Sequence, residues 1–135
     1  MELIEVITSK ENLNNAYKKV VANRGAGGVD GMKVEELGAY IRENKDEIVQ
    51  SIRNRTYMPK PVRRVYIPKD NGKQRPLGIP TVLDRVIQQA IAQPIIEIYE
   101  EIFSEYSYGF RPRRSCHDAI KQALEYLNEG YEWVI

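Results

Sequence analysis

Arg63-Arg64-Val65-Tyr66-Ile67-Pro68-Lys69-Asp70-Asn71-Gly72-Lys73-Gln74-Arg75-Pro76-Leu77-Gly78-Ile79-Pro80 holds two short apolar runs joined by a polar turn. Asn-Gly between runs of this kind is a hairpin signal, which predicts strands near 62–68 and 74–79. Eight cations (Arg53, Arg55, Lys60, Arg63, Arg64, Lys69, Lys73 and Arg75) face one acid, Asp70, between positions 53 and 75. That stretch carries +7, leaving −6 for the rest of a chain whose total is +1. A nearly neutral chain that gathers its positive charge in one place is suited to an anion, and phosphate is the usual one.

Alternation puts Arg63, Val65, Ile67 and Lys69 on one side of the first strand, and Arg75, Leu77 and Ile79 on one side of the second. Whether the two sets face the same way depends on the loop. A two-residue Asn-Gly turn pairs Asp70 with Lys73 and sends Lys69 and Arg75 to opposite faces. A three- or five-residue loop centred on Gly72 pairs Lys69 with Arg75, and both then cap one apolar platform of Val65, Ile67, Leu77 and Ile79. The platform suits a base and the cations suit phosphate oxygens. The plainer reading is a hairpin whose apolar face packs on the core and whose tip is solvated.

Outward from the hairpin, the pattern is α+β. Thr8-Ser9-Lys10-Glu11 has capping-box spacing, and Leu13, Ala16, Tyr17, Val20 and Val21 predict a helix over 9–23. The glycine-rich Gly25–Gly31 follows, a loop that fits neither a P-loop nor a dinucleotide fingerprint. It reads as a connector, or as a backbone able to approach phosphate through Asn23, Arg24 and the amides of Gly25–Gly27. Val34, Leu37, Ile41, Ile48 and Ile52 predict one broken helix or two short ones over 33–54, with the break at the charged 43–47 stretch. Thr81 caps a long helix with Leu83, Ile87, Ala90, Ile91, Ile95, Ile98 and Ile102 on its buried side, which Pro94 kinks or divides. Asp84-Arg85 and Gln88-Gln89 read as a polar surface patch. Tyr106–Arg114 is a loop rich in arginine and aromatics, which could stack on nucleic acid or be anchored by its own arginines. Ser115 with Asp118 caps a last helix carrying Ala119, Ile120, Ala123, Leu124 and Leu127 and closed by Gly130. Tyr131–Ile135 reads as the first half of a strand, an ending expected of a chain cut short.

The single cysteine, Cys116, excludes an internal disulfide, and no Cys/His spacing resembles a zinc site. Cys116 and His117 lack the partners of a nucleophilic triad. Asp30, Asp84 and Asp118 have no spacing that argues for a metal pair. Neither a signal peptide nor a membrane span is evident, which predicts a cytoplasmic protein with no membrane partner.

The motif Arg63–Pro80, together with Asp84-Arg85-Val86-Ile87-Gln88 and Ser107-Tyr108-Gly109-Phe110-Arg111-Pro112, resembles the bacterial group II intron-encoded reverse transcriptases. The likeness extends over nearly all 135 residues. It implies helices packed around a small antiparallel hairpin, as the fingers and initial palm of such an enzyme: a helix and glycine-rich lid over 1–31, the fingers hairpin at 62–80, and helices leading into the palm at 81–130. Lys69 and Arg75 resemble the cations that hold the triphosphate of the incoming nucleotide. Arg63 and the Asn23, Gly25, Ala26 and Gly27 lid resemble template-backbone contacts, and Leu77 and Ile79 resemble residues near the templating base. Arg85, Gln88 and Arg111 resemble further template-site residues. The implied partners are group II intron RNA, an RNA template with DNA primer and a deoxynucleoside triphosphate, with maturase activity and a homodimer also in view. The implied cofactor is Mg2+, bound by aspartates expected after Ile135, so no catalytic residue is expected in this chain, and the segment alone is expected to be inactive. The competing expectation is a stand-alone RNA-binding or dimerisation module derived from such an enzyme.

Overall fold

Three apolar stripes at helical spacing meet in one seam. In the computed structural model, which describes residues 2–135, α2 (Lys10–Asn23), α3 (Val34–Arg53) and α4 (Val82–Glu100) contribute Ala16 and Val20, Val34 and Leu37, and Val82, Val86 and Ala90. Leu13, Tyr17, Val21, Met32, Ile41 and Leu83 flank them. Leu37 is fully enclosed, and truncating such a leucine costs about 2–5 kcal/mol. A five-residue α1 (Leu3–Ile7) precedes α2, and the hairpin β1 (Arg63–Pro68) and β2 (Gln74–Ile79) lies between α3 and α4. The residues form two units, Met1–Ile95 and Ile96–Ile135, the second containing α5 (Cys116–Asn128). The content is α+β with one two-stranded antiparallel sheet. No helix among the described residues is long and apolar enough to cross a membrane.

Several local expectations need correction. Thr8 is not the cap of the first long helix. It ends α1, donating to the Ile4 carbonyl (2.7 Å) and accepting from Arg53 Nε (3.1 Å), while Ser9 caps α2 by accepting from the Asn12 amide (3.2 Å). The 33–54 region is one unbroken helix, because charged residues at 43–47 stay solvated on it, no proline interrupts, and its single glycine, Gly38, lies before that stretch and packs close to Tyr17. The buried stripe of α4 is Val82, Val86 and Ala90 with Ile87, whereas Ile91, Ile98 and Ile102 are exposed. Residues 131–135 form no strand, and the two-stranded sheet has no third member. The apolar face of α5 is not covered: Ile120, Leu124 and Leu127 are all exposed. The cap of α5 forms as expected, with Ser115 Oγ accepting from the Asp118 amide (3.3 Å) and Asp118 Oδ2 accepting from the Ser115 amide (2.9 Å).

Within Ile96–Ile135 the one buried residue is Arg111. Its Nε and Nη2 bind the Glu100 carboxylate (3.2 and 2.9 Å), Nη1 donates to the Ser104 and Ser107 carbonyls (2.7 and 2.9 Å), and Nη2 reaches the Glu100 carbonyl (3.4 Å). The guanidinium also lies 5.4 Å from the Phe103 ring centre. Arg114 donates to the Glu105 carbonyl and lies over Tyr108. The loop is thus anchored by its own arginines.

Pro94 leaves α4 undivided, and a side chain from another helix explains how. Proline has no N–H for the carbonyl four residues back, so Ala90 loses its helical donor. Asn12 Nδ2 supplies one at 2.7 Å, while Gln93 Nε2 holds Asn12 Oδ1 at 2.7 Å. Asn12→Ala should therefore cost about 1–3 kcal/mol in urea denaturation, the range for leaving a shielded carbonyl unpaired. In a Pro94→Ala background the same change should cost less, since the backbone amide at 94 can donate instead.

The Arg111 bonds hold the Glu100 carboxyl below the ordinary glutamate range, with its own desolvation opposing them. A carboxyl depressed in the folded state contributes stability above its unfolded value of about 4.3 and loses it as pH falls through the lower folded value. Near-ultraviolet dichroism of the tyrosine-rich loop should weaken below about pH 4, and Glu100→Gln should remove that step.

Candidate nucleic-acid and nucleotide interface

The hairpin register follows from its loop. Lys69 N–H donates to the Lys73 carbonyl (2.8 Å) and Gly72 N–H to the Lys69 carbonyl (3.0 Å), closing a three-residue loop of Asp70, Asn71 and Gly72. Gly72 takes φ +77°, the left-handed position that ends this turn and suits glycine. The loop is therefore centred on Asn71 rather than Gly72. Val65 faces Leu77, Arg63 faces Ile79, and Arg75 faces Ile67, not Lys69. Continuing the ladder sets Lys69 against Lys73. Lys69 and Arg75 are diagonal neighbours on one face, which also carries Arg63, Val65, Ile67, Lys73, Leu77 and Ile79.

That face is open. Ile67 is 45% and Leu77 39% exposed, and only Val65 and Ile79 are partly covered. The apolar platform does not pack on the core, contrary to the plainer reading. Tyr66 and Val62, near the opposite side, are also exposed.

Two of the expected template residues, Arg63 and Arg85, hold carbonyls of the glycine-rich loop. Arg63 Nε donates to the Gly27 carbonyl (3.0 Å), and Arg85 Nη2 and Nη1 donate to the carbonyls of Ala26 (2.6 Å) and Arg24 (3.5 Å). Gly28 closes the arrangement, for a Cβ there would stand 2.7 Å from the Thr81 backbone. The amides of Gly25, Ala26 and Gly27 make no hydrogen bond among the described residues. Arg85 Nε is buried without a partner. Asn23, Arg24, Arg85 and Gln88 line one groove of about 350 Å³ between α2 and α4. Asn23, Gly25–Gly27, Arg63 and Arg85 are thus brought together with Gln88 beside them. Arg111 has a different setting, buried with all five donors engaged within its own loop.

Asp84 was expected on a polar surface patch, but it is buried. Its Oδ1 accepts from the Tyr57 hydroxyl (2.5 Å), and Oδ2 accepts from the Lys60 amide (3.0 Å) and the Thr81 hydroxyl (2.7 Å). Its own amide donates to Thr81 Oγ1 (3.1 Å). Burial first, then the bond to Asp84, push the Tyr57 hydroxyl well above the ordinary tyrosine range, so it remains a donor at neutral pH. Thr81-x-x-Asp84 has the spacing of an N-terminal cap, the one sequence signal that separates Asp84 from its surface neighbours. Among the described residues no group of three or more His, Cys, Asp or Glu is placed to hold a metal ion.

Residues 67–135, just over half of the chain, match the family model described as "Reverse transcriptase (RNA-dependent DNA polymerase)". The chain is 45% identical over 121 residues to the group II intron-encoded protein LtrA of Lactococcus lactis subsp. cremoris, a match covering 89% of this chain and 20% of that protein. It is 40% identical over 139 residues to the protein YkfC of Escherichia coli K12, covering 98% of this chain and 36% of the relative. An uncharacterized 91 kDa protein in the cob intron of Schizosaccharomyces pombe is 36% identical over 120 residues. The chain thus spans about a fifth of the length of LtrA and about a third of that of YkfC. With more than half of its residues matched, the chain belongs to the reverse transcriptase (RNA-dependent DNA polymerase) family.

Proposed function

We propose that this chain is the nucleotide- and template-gripping fingers portion of a group II intron-encoded RNA-directed DNA polymerase. The carrying observation is the hairpin register, which gathers Lys69, Lys73 and Arg75 beside an exposed platform of Ile67 and Leu77. A flat apolar patch accepts the faces of a base pair, and ammonium and guanidinium groups accept the triphosphate. Lys69 and Arg75 bind the phosphates, and Leu77 with Ile79 contacts the templating base. Arg63 and the Asn23–Gly27 loop track the template backbone, where unpaired amides are ready donors for phosphate oxygens. Intron RNA, template, primer and deoxynucleoside triphosphate are the partners on this reading.

Magnesium ions would supply the Lewis acid of phosphoryl transfer in the whole enzyme. Among residues 2–135 no three or more His, Cys, Asp or Glu side chains cluster as such a site would need, and this reading gives the residues here binding and orientation. By itself the chain is expected to bind and not polymerise. Primer extension by the purified chain would overturn that.

Arg75→Ala removes a charged contact to phosphate worth about 1.5–3 kcal/mol, so calorimetry should find deoxynucleoside triphosphate bound roughly ten- to a hundredfold more weakly. RNA affinity should change little, and equal losses in both would count against the assignment. Arg63→Ala should weaken single-stranded RNA and lower the slope of log K against log salt by about 0.7, one phosphate contact's share. An unchanged slope contradicts the template role. RNA binding by a chain that shows no affinity for nucleotide would favour the stand-alone RNA-binding module.

A further inference from the structure

A two-stranded hairpin open on both faces has no core of its own to set its direction. Here both of its legs run to one buried carboxylate. The entering leg presents the Lys60 amide, three residues before β1, to Asp84 Oδ2 at 3.0 Å, and upstream of it the Tyr57 hydroxyl reaches Oδ1 at 2.5 Å. The leaving leg presents the Thr81 hydroxyl, two residues after β2, to the same Oδ2 at 2.7 Å. Asp84 itself lies in the first turn of α4, two residues from Val82 and Val86 of the core seam. A buried carboxylate is tolerated only when donors surround it, and the donors here come from both sides of the hairpin.

We propose that Asp84 is the positioning residue of the hairpin, fixing both legs to α4 so that the face bearing Lys69 and Arg75 is held in one orientation. The nucleotide part of this inference rests on the proposed function above. The orientation part stands on geometry alone. Releasing either leg leaves the β1–β2 ladder intact but lets the hairpin swing at its base. Only a fraction of molecules then present the phosphate-binding face correctly, and apparent affinity falls by that fraction.

The test uses the 135-residue chain with Cys116→Ser, spin labels on cysteines replacing the exposed Asp70 at the hairpin tip and Lys18 on α2, and pulsed distance measurements between them. In the otherwise unaltered chain one narrow distance distribution is expected. Asp84→Asn keeps size but puts an amide donor where an acceptor is needed, so the distribution should broaden while far-ultraviolet dichroism keeps its helical signal. Tyr57→Phe removes a single donor and should broaden it less, which provides a milder variant should Asp84→Asn fail to fold. Calorimetry with deoxynucleoside triphosphate on the unlabelled chains should show about a tenfold loss of affinity for Asp84→Asn, equivalent to a tenth of molecules remaining competent. An unchanged distance distribution in both folded variants, or in Tyr57→Phe where only it folds, would overturn the proposal. Broadening in the variants with no nucleotide binding by the parent chain would support the orientation role of Asp84 and overturn the nucleotide grip instead.

Discussion

The protein depends on satisfying a negative charge that it has buried. Desolvating a carboxylate costs several kcal/mol unless donors replace the lost water. Asp84 recruits them from Tyr57, Lys60 and Thr81, residues that flank the hairpin in sequence on either side. Apolar packing could hold α2, α3 and α4 together without any of these bonds. It could not hold the hairpin, whose apolar residues face outward. An exposed platform and a fixed orientation are competing demands, and a polar anchor at the base meets both.

The arginines divide between similar tasks of different reach. Arg63 and Arg85 hold the carbonyls of Arg24, Ala26 and Gly27, while the amides of Gly25, Ala26 and Gly27 have no partner among the described residues. Arg111 holds carbonyls too, together with the Glu100 carboxylate, and its guanidinium is consumed in doing so. The Arg75 guanidinium, by contrast, makes no hydrogen bond or ion pair among the described residues, and neither does the ammonium of Lys69. Cations that stay free on an open face are the ones available to an anionic ligand. The donors of one residue type can thus be sorted into engaged and available by asking which are already taken.

That sorting marks the limit of what the sequence could disclose. Alternation and Asn71-Gly72 were enough to place the hairpin, because strand period and turn chemistry are local properties. Its register was not, since loops of two, three or five residues fit the same letters, and a choice among them depends on the bonds from the Lys69 amide to the Lys73 carbonyl and from the Gly72 amide to the Lys69 carbonyl. The stripe of α4 was ambiguous because the helix is apolar at 82, 86 and 90 and again at 83, 87 and 91, and only the packing shows that the first set is buried together with Ile87 while Ile91 is exposed. The burial of Asp84 and of Arg111 was hidden from the sequence for a common reason. Charged residues are rarely buried, and what permits burial here is a set of partners distributed along the chain, half of the bonds being to backbone groups that carry no signature in the sequence.

The two units reach order by different means. Met1–Ile95 buries a seam of small and branched aliphatic side chains, where losing a methyl group is felt through packing. Ile96–Ile135 buries no apolar residue, and the one side chain it does bury is an arginine. Its loop keeps a defined path because one guanidinium satisfies several carbonyls that would otherwise need water or a regular element. Such an anchor is directional, so it specifies geometry in a segment too poor in buried apolar area to specify itself. It also leaves the aliphatic face of α5 free, since nothing in the anchoring of the loop requires Ile120, Leu124 or Leu127.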